Sequence, residues 1–292
     1  MRKIAGIKIQ EKKKRNPFLW LLLALFVFGA AGMFFFAAKE ELPYVIAAIK
    51  NAQIQDGYTN FEDGAGNPEP NNALSGQDKP GGGNAAGGNG VQELPQDWNG
   101  IDWQGLRNMN EDIIGWIQIP DTSINYAILK GTRGDYYLNH HMDGTYNILG
   151  SIFLQAGSPD DMSDAHMILY GHNMASGQMF GELSNYGSVD FWKIHPYVYI
   201  YTPDKTTTFA VYAAYGTKDN SSTYTTGYTL GSREYKKWIA YTLEQAAYRT
   251  EFEPDGDAQI FTLSTCADYG VQNDRYVVHC VAIDEVTKES VE

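Results

Sequence analysis

The stretch from 259 to 283, QIFTLSTCADYGVQNDRYVVHCVAI, constrains the fold most. Two β-favouring runs, 260–265 and 275–283, flank a polar loop. Cys266 closes the first run and Arg275 opens the second. If the two runs pair as neighbouring strands, both residues stand on the rim of one loop at one end of a sheet. A sheet end fixes positions while the loop stays open to a ligand, so this is a place suited to chemistry.

Similar short runs precede it. Residues 114–119 and 124–129 flank a Pro120-Asp121-Thr122 turn. Residues 151–154 and 167–170 read as short buried strands, and the second runs directly into Gly171-His172-Asn173. Residues 197–201 and 207–215, joined through Pro203-Asp204-Lys205, read as a hairpin. Two helices are expected in this domain, besides a short juxtamembrane helix over 39–55. One opens the domain with Ile101, Leu106, Met109 and Ile113 at helical spacing. The other runs over 232–249, with Ser232 as its N-cap and Tyr235, Trp238, Ile239 and Ala246 on one face. About eight short strands with few helices predict a mainly β domain, a barrel or a sandwich.

The preceding segments are of other kinds. Residues 18–38 carry no charge and would span about 30 Å as a helix, the thickness of a bilayer core. Seven basic residues and one acid lie within 1–16, so the positive-inside rule puts the N-terminus in the cytoplasm and the rest outside. The apolar run is longer than the roughly 7–15 residues of a signal peptide, which favours an uncleaved anchor. Residues 63–90 are mostly Gly, Asn, Pro and Ala, too little apolar material to offset their ordering entropy, and read as a flexible spacer. The expected organisation is a basic tail at 1–17, an anchor at 18–38, a juxtamembrane segment and linker at 39–93, and a folded domain at 94–292. The net charge of −13 includes +6 from 1–16, leaving −19 for the remainder. So acidic a domain lacks the basic stripe that nucleic acid requires.

Chemistry centres on the thiol. Two cysteines do not make a disulfide scaffold. If Cys266 sits opposite Arg275, Cys280 lies on the order of 15 Å away, beyond the reach of a disulfide. A thiol attacks as thiolate and needs a cation or a base beside it. Of the six histidines, His140 and His141 fall in a loop and His195 precedes a proline. His166 and His279 fall in or beside strands, where a structural role is commoner. His172 follows a buried strand and so stands at a strand end, like Cys266. Taken singly, each member has an ordinary explanation: a packed cysteine, a satisfied histidine, a solvated arginine.

Together, Leu169-Tyr170-Gly171-His172-Asn173, Thr262-Leu263-Ser264-Thr265-Cys266 and Asn273-Asp274-Arg275-Tyr276 resemble the sortases, the cell-wall transpeptidases of Gram-positive bacteria. The resemblance covers about 97–284. Ile114, Trp116, Ile117 and Ile119, with Tyr136-Tyr137-Leu138-Asn139, are similar to class B in particular. It implies an eight-stranded sortase β-barrel and a set of roles. Cys266 is the nucleophile, His172 the acid and base, and Arg275 a fixed cation for the substrate backbone and the oxyanion. The backbone N–H of Ala267 is a second oxyanion donor, while Ser264, Thr265 and Leu138 contact substrate. Asp268 and Asp274 read as loop residues near the site. The substrate implied is a protein bearing a Leu-Pro-x-Thr-Gly-like sorting signal, cut after Thr and passed to an amine of a peptidoglycan precursor or a pilin lysine. No cofactor is implied and no metal-ligand spacing is seen.

Other readings lack matching residues. A papain-like protease has a Cys-Gly-Ser-Cys-Trp type stretch, and an L,D-transpeptidase has His and Gly before its cysteine, where this chain has Ser264-Thr265. A membrane-tethered binding or adhesion module, with Cys266 merely packed, is the alternative of another class.

Overall fold

The computed structural model describes residues 39, 41–59, 99–131, 135–266 and 273–290, with the backbone alone for Cys266. Contacts divide the chain into two units, Met1–Ile46 and Ala47–Glu292. In the first unit residues 41–46 are helical; in the second the helical run continues over 47–58 as α1. Among the described residues no helix is long and apolar enough to cross a membrane. The anchor expected at 18–38 and the spacer at 63–90 lie outside the described residues.

The second unit is built on eight described strands: β1 Ile113–Gln118, β2 Asn125–Leu129, β3 Ile152–Leu154, β4 His166–Tyr170, β5 Tyr197–Tyr201, β6 Lys205–Lys218, β7 Ile260–Cys266 and β8 Asp274–Thr287. They close into a barrel in the order β1-β2-β3-β4-β7-β8-β6-β5. The eight-stranded barrel expected from the sequence is thus observed, and the sandwich is not. Pairing is antiparallel except for β2 with β3 and β4 with β7. β7 therefore lies between β4 and β8, so the ends of β4 and β7 and the start of β8 stand side by side.

Helices α2 Trp103–Met109, α3 Val189–Ile194 and α4 Arg233–Gln245 complete the unit. Ser232 caps α4 by accepting from the Tyr235 N–H at 3.2 Å, a contact worth about 1 kcal/mol. Tyr235, Trp238 and Ile239 on α4 pack with Tyr212 and Tyr215 of β6 and with Val277 and Val281 of β8. Burying each such side chain contributes roughly 1.5–3 kcal/mol. This cover explains why β6 reads as a continuous buried run rather than an alternating one.

A polar chain crosses the barrel wall in this region. His166 Nδ1 lies 2.8 Å from the Thr225 carbonyl oxygen. A carbonyl only accepts, so His166 carries its proton on Nδ1 and accepts from the Thr262 hydroxyl at Nε2, 2.7 Å away. Thr262 then accepts from His279 Nδ1 at 2.8 Å, and His279 Nε2 accepts from Tyr215 at 2.9 Å. With both imidazoles neutral, every ring nitrogen in this polar chain is satisfied. Burial pulls both pKa values down, that of His166 to about 4. These two histidines are structural, as their strand positions suggest.

Helix α1 belongs to the same unit as the barrel. Ile54 joins the core cluster of Trp116, Leu129 and Tyr201. Asn51 Oδ1 lies 2.7 Å from Nε2 of buried His141, and Lys50 Nζ lies 2.5 Å from Asp143. The compact unit thus takes in 47–58 as well as the domain expected from 94. Its contacts reach about 90 positions along the chain, so local composition does not show them.

Candidate active site

The site forms where β4, β7 and β8 end together. Cys266 is the last residue of β7 and its Cα partner across β8 is Arg275. On the other side of β7, Tyr170 is registered with Ser264, and the Gly171 N–H donates to the Ser264 carbonyl at 3.2 Å. Two residues further along each chain come His172 and Cys266. The strand ends thus bring together the three residues chosen from the sequence. The same register sets Cys280 opposite Phe261, five residues along β7 from Cys266. Cys280 is a buried free thiol whose pKa burial drives well up, leaving it inert.

Gly171 is required by space. A Cβ there would lie inside contact distance of the Ile152 and Phe180 side chains, so only glycine lets the backbone carrying His172 approach this closely. His172 Nε2 lies 2.5 Å from the Leu138 carbonyl oxygen. As the carbonyl must accept, Nε2 holds a proton, and Nδ1 remains the nitrogen that can take one up or give one. The Leu138 carbonyl is itself held in a tight turn. The Gly150 φ is +60°, and a Cβ there would lie 2.6 Å from that oxygen.

These groups border a cleft of about 510 Å3. Leu138, His172, Ser264, Thr265 and Arg275, all selected from the sequence, line it. Ser264 is fully buried and its hydroxyl meets Tyr224 Oη at 2.8 Å. Thr265 is 2% exposed, and its hydroxyl has no hydrogen-bond partner among the described residues. Ala267 and Asp268 lie outside the described residues. Asp274 is the first residue of β8 rather than a loop residue, and it pairs with Lys218.

The sequence reading did not single out Tyr170, Tyr224 or Asp219, which also line the cleft. The Tyr170 and Tyr224 rings stack with centroids 6.4 Å apart and planes 10° from parallel. Burial raises both phenol pKa values, that of Tyr224 to about 12, so both hydroxyls stay protonated. Arg275 donates from Nη1 to the Asp274 carbonyl at 2.8 Å, and its Nη2 lies 3.4 Å from Asp219 Oδ2. Tyr170 stood within the Leu169–Asn173 motif. Asp219 had no local signal, because β6 runs to Lys218 and not merely to 215.

A family model described as the sortase domain matches residues 117–283, more than half of the chain. The chain belongs to the sortase family. It is 32% identical to Sortase B of Listeria monocytogenes over 162 residues, covering 55% of this chain and 65% of that one. It is 28% identical to Sortase B of Staphylococcus aureus over 177 residues, covering 60% and 72%. The matched region thus spans slightly less than two thirds of the Listeria protein. Among solved structures, the S. aureus sortase B–substrate complex superposes with a TM-score of 0.58 at 27% identity, over 62% of this chain and 84% of that one. The sortase assignment and its class B likeness accord with the motifs quoted above.

Proposed function

We propose that this sortase is a cysteine transpeptidase in which Cys266 is the nucleophile, His172 the proton carrier and Arg275 the substrate-facing cation. The observation that carries the reading is the juxtaposition of the ends of β4, β7 and β8 at one cleft. The Cys266 thiolate attacks the carbonyl carbon of the Thr–Gly bond in a Leu-Pro-x-Thr-Gly-like signal. The tetrahedral oxyanion is met by the Arg275 guanidinium and by the Ala267 N–H. As the C–N bond breaks, His172 gives its Nδ1 proton to the leaving amine, and a thioester remains. An incoming amine then loses a proton to Nδ1 and attacks the thioester carbon, and the S–C bond breaks to return the thiolate. Leu138, Ser264 and Thr265 line the binding cleft, and exclusion of water favours transfer over hydrolysis.

The partners in this reading are secreted proteins carrying the sorting signal and an amine acceptor, a peptidoglycan precursor or a pilin lysine. The substrate complex of the similar S. aureus enzyme supports a peptide in the cleft. The charge-free run at 18–38 and the basic cluster before it support a single-pass anchor with the catalytic domain outside the cell, and residues 63–90 a spacer.

The test is Cys266→Ala in the full chain, assayed on a fluorogenic sorting peptide with circular dichroism as the fold control. Cleavage is expected to vanish with an unchanged spectrum. Retained turnover would remove the thiol from the chemistry, and a lost fold would favour the packed-cysteine alternative.

A further inference from the structure

The Arg275 guanidinium is not held by its own strand alone. Lys218 is the Cα partner of Asp274, and Thr217 that of Arg275, so β6 flanks β8 on the side away from Cys266. Asp219 is the first residue past the end of β6. Its N–H donates to the Asn273 carbonyl at 3.0 Å, and Asn273 takes a left-handed φ of 76° just before β8 begins. That bond ties down the backbone from which the carboxylate projects. Asp219 Oδ2 then lies 3.4 Å from Arg275 Nη2, while Nη1 donates to the Asp274 carbonyl. A guanidinium has five N–H donors in one plane. Two are engaged here, one by the β8 backbone and one by Asp219 at the end of β6, which leaves the rest of the fork for the cleft that both residues line.

We propose that Asp219 is a positioning residue that sets the plane and reach of the Arg275 guanidinium at the cleft rim. The inference rests on the reading of Arg275 as the substrate-facing cation. Both side chains are about a third exposed, so the pair adds little to fold stability. Its value lies in restricting a long, rotamer-rich side chain before substrate arrives.

The experiment is a double-mutant cycle on the full chain with the fluorogenic sorting peptide. Asp219→Asn is expected to lower kcat by roughly five- to twentyfold with little change in KM and in the melting temperature. Asp219→Glu is expected to recover part of that loss, since it restores a charged acceptor. In an Arg275→Ala background, Asp219→Asn is expected to cost nothing further. Full activity of Asp219→Asn, or an equal loss in the presence and absence of Arg275, would overturn the proposal. Wild-type activity of Arg275→Ala would instead overturn the role given to Arg275, and loss of folding in Asp219→Asn with no rescue by Glu would make the contact structural.

Discussion

His172 holds its Nε2 proton against the carbonyl oxygen of Leu138 at 2.5 Å, so a backbone group orients the imidazole. Mutating the Leu138 side chain leaves this orienter in place. The bond sets one tautomer, with Nδ1 the nitrogen left to carry protons in the proposed mechanism. His172→Gln keeps a donor for Leu138 but has no basic nitrogen. We expect His172→Gln and His172→Ala to lower kcat/KM equally, by about 10²–10⁴-fold, in the peptide cleavage assay. Substantial activity in the Gln variant would mean that His172 only positions.

Arg275 offers a flat fork that the Asp274 carbonyl and Asp219 already grip through Nη1 and Nη2. An ammonium cannot bind these acceptors and a substrate carbonyl in one plane. Arg275→Lys is therefore expected to lose most activity, about tenfold or more in kcat/KM, at unchanged thermal stability. A rate near wild type would show that the position needs charge alone.

Acid should weaken the fold through His166 and His279. The folded-state pKa of each is depressed by burial, that of His166 to about 4. Above pH 6.5 both states hold these rings neutral, so their contribution to stability is complete there. As pH falls from 6.5 toward 4, the unfolded chain takes up protons that the folded chain refuses, and stability drops. For His166 alone the loss approaches about 3 kcal/mol, and His279 adds to it in the same direction. Denaturant melts at pH 7.5, 6.0, 5.0 and 4.5 would measure this. His166→Gln should flatten the slope by close to one proton, and a wild-type curve level down to pH 5 would contradict the neutral chain.

Asn51 tests the attachment of α1. Its amide oxygen is the partner of His141 Nε2 at 2.7 Å, in a site 1% exposed. Asn51→Ala leaves that nitrogen buried and unpaired, at a cost of about 1–3 kcal/mol. A lowered denaturation midpoint with unchanged kcat is expected. An unaltered midpoint would mean that the Asn51–His141 hydrogen bond adds nothing to the attachment of α1.

The strands were legible because most of their signal is local. The β-favouring runs at 197–201 and 260–265 and the Ser232 cap depend on residues a few positions apart, and they appear where the pattern puts them. The thiol, imidazole and guanidinium were legible through motif resemblance, and Leu138, Ser264 and Thr265 line the cleft beside His172 and Arg275. Asp219 and Tyr224 were not, because neither has a neighbour in sequence that betrays its partner.

By itself, then, the sequence determined a mainly β domain, the strand ends that carry Cys266, His172 and Arg275, and the family they resemble, since these follow from side-chain identity and short-range periodicity. Only the tertiary structure decided that β4 enters beside β7 in parallel, that Leu138 supplies a carbonyl to His172, that Asp219 meets Arg275 and that α1 joins the barrel unit. Each of these contacts joins residues at least 34 positions apart, and barrel closure and side-chain packing, not local propensity, select which distant groups meet.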